Sequence, residues 1–263
     1  MRPLRVVFYA VNGSGLGHVT RLVAIARWMR RLETLLSGTP PELLFLTSTE
    51  ATSLLAEHRL AAFKLPSKGV ARLSGLDVLE HRRLAKHFVW QTLGTMSPDL
   101  LVVDTFPHGS FDELLPILDG PFAKVLVLRA VKDEYAQRPV FQASMRLYDR
   151  VIVPHAPGSE PGLAALLPAE RPATWVGDIL NIETSAEADT NDDPATRLRQ
   201  ALRDELGLGD ERLVYLSAGG GGDPTTERAL VTLVSALRDR PDLHLLVGAG
   251  PLYRGRRLHG ARL

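Results

Sequence analysis

The chain has 263 residues, with 31 lysines and arginines against 30 aspartates and glutamates, and it contains no cysteine. That balance creates no global field to draw it onto nucleic acid, and the lack of thiols excludes disulfides and thiolate metal sites. No apolar run reaches the roughly 18 residues that a membrane span needs, and the apolar start breaks at Asn12-Gly13, too early for a secretory signal. The expectation is a cytoplasmic protein.

Short apolar runs alternate with longer amphipathic ones. Strands are predicted at Arg5–Val11, Leu43–Thr47, Ala62–Leu65, Leu100–Asp104, Lys124–Arg129, Arg150–Pro154 and Thr174–Gly177. They are rich in Val, Leu and Phe without strict polar alternation, as in strands covered on both faces. The clearest helix is Val19–Leu36, where Leu22, Ile25, Ala26, Met29, Leu32 and Leu36 recur at helical spacing. Further helices are predicted at Ala51–His58, Leu73–Leu93, Phe111–Leu118 and Val140–Leu147. Such alternation implies a parallel sheet flanked by helices.

The pattern stops after Gly177. Asn181–Thr196 carries Glu183, Glu187, Asp189, Asp192 and Asp193 and reads as an exposed linker. A helix at Pro194–Leu206 ends at Gly207. A second α/β pattern follows, with strand Leu213–Ser217, glycines 219–222, helix Thr225–Leu237 and strand Leu243–Val247. The predicted organisation is an N-terminal Rossmann-like domain at 1–180, a linker and helix at 181–211, and a C-terminal domain at 212–263. Two strands rarely make a stable α/β domain alone, so the second domain is expected to be incomplete.

Gly13-Ser14-Gly15-Leu16-Gly17-His18 follows the first strand and opens the first long helix. Glycines there admit positive φ and close approach of a ligand, and the helix start favours an anion. A dinucleotide fingerprint is excluded because His18 stands where its third glycine belongs, and no P-loop Gly-Lys-Ser/Thr occurs. The alternative is a tight turn without a ligand.

A histidine at a helix start has its cation disfavoured, which leaves a neutral imidazole able to accept a proton. His18 is therefore the candidate base, against a plain capping or surface histidine. Asp104, at the carboxyl end of a buried strand, is its candidate partner, because ligands bind outside the carboxyl ends of parallel strands. The alternative is that Asp104 caps a helix starting near Ser110. His108, and Arg129 with Lys132 and Asp133, would also lie near that cleft; ordinary surface charge is the competing reading. No Asp-x-Asp, His-x-x-x-His or cysteine pattern occurs, so no metal is expected. Arg21, Arg27, Trp28, Arg30 and Arg31 make the first helix basic, which reads as a solvated face or, alternatively, as peripheral membrane contact. Four arginines in Arg254–Leu263 are too few to mark a nucleic-acid patch.

The ordered set GSGLGHVTR, PDLLVVDTFPHG, LVLRAVKDE, LYDRVIVPHAP and YLSAGGGGD resembles GT-B-fold glycosyltransferases. It is most similar to bacterial predicted transferases related to the N-acetylglucosaminyltransferase of peptidoglycan synthesis. The resemblance implies transfer of a sugar from a nucleotide-sugar donor, UDP-linked, to an acceptor hydroxyl, with no further cofactor. The acceptor would be a small molecule, a glycan or a lipid-linked molecule. His18 matches a histidine used as base or acceptor contact, and Asp104 its carboxylate partner in plant relatives. Gly13, Gly15 and Gly17, with Ser14 among them, match the acceptor-side loop. Ser217, Gly219, Gly220, Gly221 and Gly222 match the loop on the donor's diphosphate. Family members carry further donor-binding strands that this sequence lacks. Two alternatives stay open, a nucleotide-sugar epimerase of the same fold and a non-catalytic binding protein.

Overall fold

The computed structural model describes residues 2–11, 15–168, 173–181, 194–209, 211–223, 225–256 and 258. The chain divides into two compact units, Met1–Asn181 and Ile182–Leu263.

The first unit runs β1 (Arg5–Ala10), α1 (Gly17–Ser37), β2 (Glu42–Thr47), α2 (Thr52–Glu57), β3 (Ala61–Lys64), α3 (Lys68–Leu73) and α4 (Val78–Met96). It continues with β4 (Leu100–Asp104), a single 3-10 turn at Leu115–Ile117, β5 (Ala123–Val127), α5 (Asp133–Ala136) and α6 (Pro139–Met145). It closes with β6 (Arg150–Val153), α7 (Pro161–Ala164) and β7 (Ala173–Trp175). The seven strands form one parallel sheet in the order β3-β2-β1-β4-β5-β6-β7. The chain winds outward in one direction from β1 and in the other from β4. The crevice between the carboxyl ends of β1 and β4 is thus the topological switch point, where ligands bind in open α/β sheets.

Each inner strand buries both faces, which explains its continuous apolar composition. Phe8, Phe45 and Val102 pack with Val19, Leu22, Val23 and Ala26 of α1. Val7, Tyr9, Leu101 and Val103 face Val89 and Leu93 of α4 and Phe141 and Met145 of α6. Side chains alternate along a strand, so Asp104 shares the α1 face with Val102.

Four sequence expectations are corrected. The helix predicted at Leu73–Leu93 starts only at Val78, as α4, because α3 ends at Leu73, Gly75 turns at φ 70° and Asp77 caps α4 by accepting from the Leu79 N–H at 2.8 Å. The helix predicted at Phe111–Leu118 is only the 3-10 turn, because Pro116 lacks the N–H an interior position needs and Asp112 is left-handed at φ 61°. β3 at the sheet edge has all four residues exposed rather than covered on both faces. The apolar stripe of α1 also outruns the sheet, leaving Leu32 and Leu36 in solvent at 50% and 84% exposure.

The second unit contains α8 (Pro194–Glu205), β8 (Arg212–Ser217), α9 (Thr226–Leu237) and β9 (Leu243–Gly248), with the two strands parallel. Leu230 and Val234 of α9 close its core against Leu245 and Val247. The charged stretch at 182–193 lies outside the described residues.

Candidate active site at the sheet switch point

Asp104 ends β4 with no exposure to solvent. A buried carboxylate is tolerable only if its lone pairs are satisfied. Here Oδ1 accepts from His18 Nδ1 at 2.5 Å, from Thr105 Oγ1 at 2.7 Å and from Arg21 Nη2 at 3.0 Å, while Oδ2 accepts from Arg21 Nε at 2.8 Å. Burial pushes the carboxyl up, but the hydrogen bonds from His18 and Arg21 outweigh it, and Asp104 sits below its ordinary value. It is therefore an anion. An ionised carboxylate only accepts, so a neutral imidazole in this position carries its hydrogen on Nδ1 and its free lone pair on Nε2. That is the tautomer a general base requires.

His18 and Arg21 reach one carboxylate because residues three apart share a helix face. His18 lies in the first turn of α1, where Leu16, not the histidine, is the N-cap. The capping alternative for His18 is thereby removed. The capping alternative for Asp104 falls as well, since no helix starts near Ser110.

A strained turn completes the pocket wall. The Phe106 N–H returns to the Asp104 carbonyl at 2.7 Å, a three-residue γ-turn centred on Thr105. Thr105 is left-handed there at φ 64°, unusual for a β-branched residue and unfavourable by about 1–3 kcal/mol. The turn brings Phe106 into a stack with His18, ring centroids 5.4 Å apart. Phe106 packs edge-on against Tyr135 in turn.

The loop behind this wall is organised by a residue that sequence reasoning missed. Glu113 is buried and accepts from the Tyr9 hydroxyl, from the Ser110 N–H at 3.0 Å and from the Phe111 N–H at 2.6 Å. Burial and the facing carboxylate hold the Tyr9 phenol well above its ordinary value, so it stays a donor. No spacing rule marks Glu113. Arg21 was also missed as a site residue, although its i+3 relation to His18 was visible.

The other predicted residues are distributed unevenly. Gly17 begins α1, and Gly15 precedes it on a part-buried stretch. Gly13 and Ser14 lie outside the described residues. His108 is buried, with Nε2 2.9 Å from the Tyr135 hydroxyl, and Nδ1 2.9 Å from Asp112 Oδ1 but out of hydrogen-bond alignment. The structure thus places it inside the loop, against Tyr135. Arg129 is exposed two residues beyond β5, and no contact joins it to the Asp104 cluster.

In the second unit, Ser217 ends β8 and its hydroxyl accepts from the Gly219 N–H at 3.2 Å. The Gly221 N–H bonds the Ala218 carbonyl at 3.3 Å, and the Gly220 carbonyl accepts from the Leu252 N–H at 2.9 Å. A Cβ at Gly221 would lie 2.9 Å from the Tyr253 nitrogen, so this glycine is required by close packing of two loops. Two of the four glycine amides, those of Gly219 and Gly221, already have internal partners; Gly220 and Gly222 are the others in the run.

No family model matches the sequence, and no curated protein does either. Solved structures do match. The chain is similar to a UDP-N-acetylglucosamine 2-epimerase at TM-score 0.53 and 12% identity, over 93% of this chain and 63% of that one. It is similar to the UDP-GlcNAc 2-epimerase from Neisseria meningitidis bound to UDP-GlcNAc at TM-score 0.54 and 10% identity, over 93% and 65%. The spinosyn rhamnosyltransferase SpnG gives TM-score 0.54 and 14% identity, over 99% and 70%. The fold is of the GT-B type. The chain spans just under two thirds of the length of the two epimerases.

Proposed function

We propose that this chain provides the acceptor side, and part of the donor side, of a glycosyltransferase that takes a sugar from a UDP-linked donor to an acceptor hydroxyl. The observation that carries the reading is the buried His18–Asp104 pair at 2.5 Å in the switch-point crevice. In this mechanism Nε2 of His18 accepts the hydroxyl proton as the acceptor oxygen attacks the anomeric carbon. Asp104 orients the ring and stabilises the imidazolium that forms, and the bond to the UDP oxygen breaks. The Ser217–Gly222 loop is the proposed contact for the leaving diphosphate, with Gly220 and Gly222 the candidate amide donors. Kinship to the peptidoglycan N-acetylglucosaminyltransferase group rests on the motif order alone.

Likeness to the 2-epimerases favours a second reading, interconversion of a UDP-sugar without an acceptor. Product analysis separates the two. Incubation of the protein with UDP-GlcNAc and a mixture of sugar and phenolic acceptors gives acceptor-dependent UDP release if it is a transferase. A changed sugar still joined to UDP, formed without any acceptor, identifies an epimerase and contradicts the transferase reading.

A further inference from the structure

A carboxylate beside a histidine raises the affinity of the imidazole for a proton, while a cation on the same carboxylate opposes it. An imidazolium cannot serve as a base. In the present site such a cation reaches the carboxylate, through the fork of Arg21 at 2.8 and 3.0 Å. Arginine keeps its charge at any working pH and matches a carboxylate with two parallel donors.

We propose that Arg21 is a positioning residue of this site, supplying the counter-charge of Asp104 and so opposing protonation of the His18 imidazole that the carboxylate holds. The fork also engages both carboxylate oxygens, which fixes the rotamer that presents Oδ1 to Nδ1. Among the described residues, the charged groups bonded in this cluster are Asp104 from β4 and Arg21 one turn along α1. From the loop after β4 the uncharged Phe106 ring stacks on the imidazole, while the titratable Glu113 and His108 of the same loop are engaged by Tyr9 and Tyr135. The lowered Asp104 carboxyl agrees with this division, since Arg21 contributes there by both hydrogen bond and charge.

The role rests on the reading of His18 as the base, but its test needs no turnover. Nitrogen-15 imidazole spectra of the whole chain, recorded across pH, follow the His18 titration and tautomer directly. In Arg21→Gln the titration midpoint is expected to rise by about one pH unit, because Asp104 then acts on the imidazole alone. Arg21→Lys restores the charge and is expected to return the midpoint to that of the unaltered protein. An Arg21→Gln protein that titrates where the unaltered protein does overturns the proposal and leaves Arg21 a packing residue. If Arg21→Gln does not fold, Arg21→Lys decides: a midpoint raised by a full unit despite the retained charge also overturns it. A failed transfer assay with the expected titrations would sink the transferase reading and leave the role of Arg21 standing.

Discussion

Gly109 and Glu113 are sterically interlocked: a Cβ at Gly109, itself left-handed at φ 84°, would lie 2.7 Å from Oε1 of the Glu113 carboxylate. The loop that carries Phe106 to His18 folds over that carboxylate, with no room for a side chain between. Gly109→Ala therefore combines an unfavourable φ with displacement of a buried anion. A loss of about 2–4 kcal/mol in urea unfolding is expected. An alanine variant as stable as the original protein would show that the loop does not depend on this approach.

Tyr9→Phe tests the same anchor from the sheet side. The phenol donates to Glu113 from near the carboxyl end of β1. Its removal leaves a buried carboxylate with one donor fewer at nearly constant volume, and a loss of about 1–3 kcal/mol in thermal or urea unfolding is expected.

Asp104→Ala leaves the part-buried Arg21 guanidinium against an emptied position and frees the His18 ring. Removing one partner of a buried ion pair destabilises by about 3–5 kcal/mol. Asp104→Asn keeps the volume and one acceptor oxygen, so its expected loss is smaller. Equal losses for the two variants, measured by urea unfolding, would mean that the charge both remove, and not the volume that only alanine removes, carries the effect.

Stability should fall on mild acidification, and His108 is the first cause. Burial lowers its imidazole below the ordinary 6.5, against the raising pull of Asp112 and Glu113. The unfolded chain then binds a proton that the folded one does not, so this contribution is complete above 6.5 and is lost as pH falls toward the depressed folded value. The slope for one proton is at most about 1.4 kcal/mol per pH unit. The depressed Asp104 carboxyl acts in the same sense at lower pH, its contribution present above 3.8 and lost as pH falls through the folded value. Urea midpoints between pH 7.5 and 5 should slope less in His108→Gln than in the unaltered protein.

The parallel sheet was legible in the sequence because strands buried on both faces are continuous runs of Val, Leu and Phe. His18 and Asp104 were legible because each stands where a strand or helix boundary meets the crevice. The loop from Thr105 to Leu118 was not. Its apolar residues at 111, 114, 115 and 118 imitate a helix face, and only Pro116 argues otherwise. What shapes the segment is long-range: Glu113 is tied to Tyr9, 104 positions away. A γ-turn through a threonine likewise has no compositional signal. In the second unit the glycine run was visible, but the reason for Gly221 was not, because it lies in the approach of Tyr253.

The central claim is that the Asp104-oriented imidazole of His18 removes the acceptor proton. Its most direct test is acceptor-dependent release of UDP from UDP-GlcNAc or UDP-glucose by the unaltered chain and by His18→Ala, with folding of both verified by circular dichroism. Loss of a positioned general base should lower the rate by about 10²–10⁴-fold while leaving calorimetric affinity for UDP unchanged. Undiminished UDP release by a folded His18→Ala protein would contradict the account.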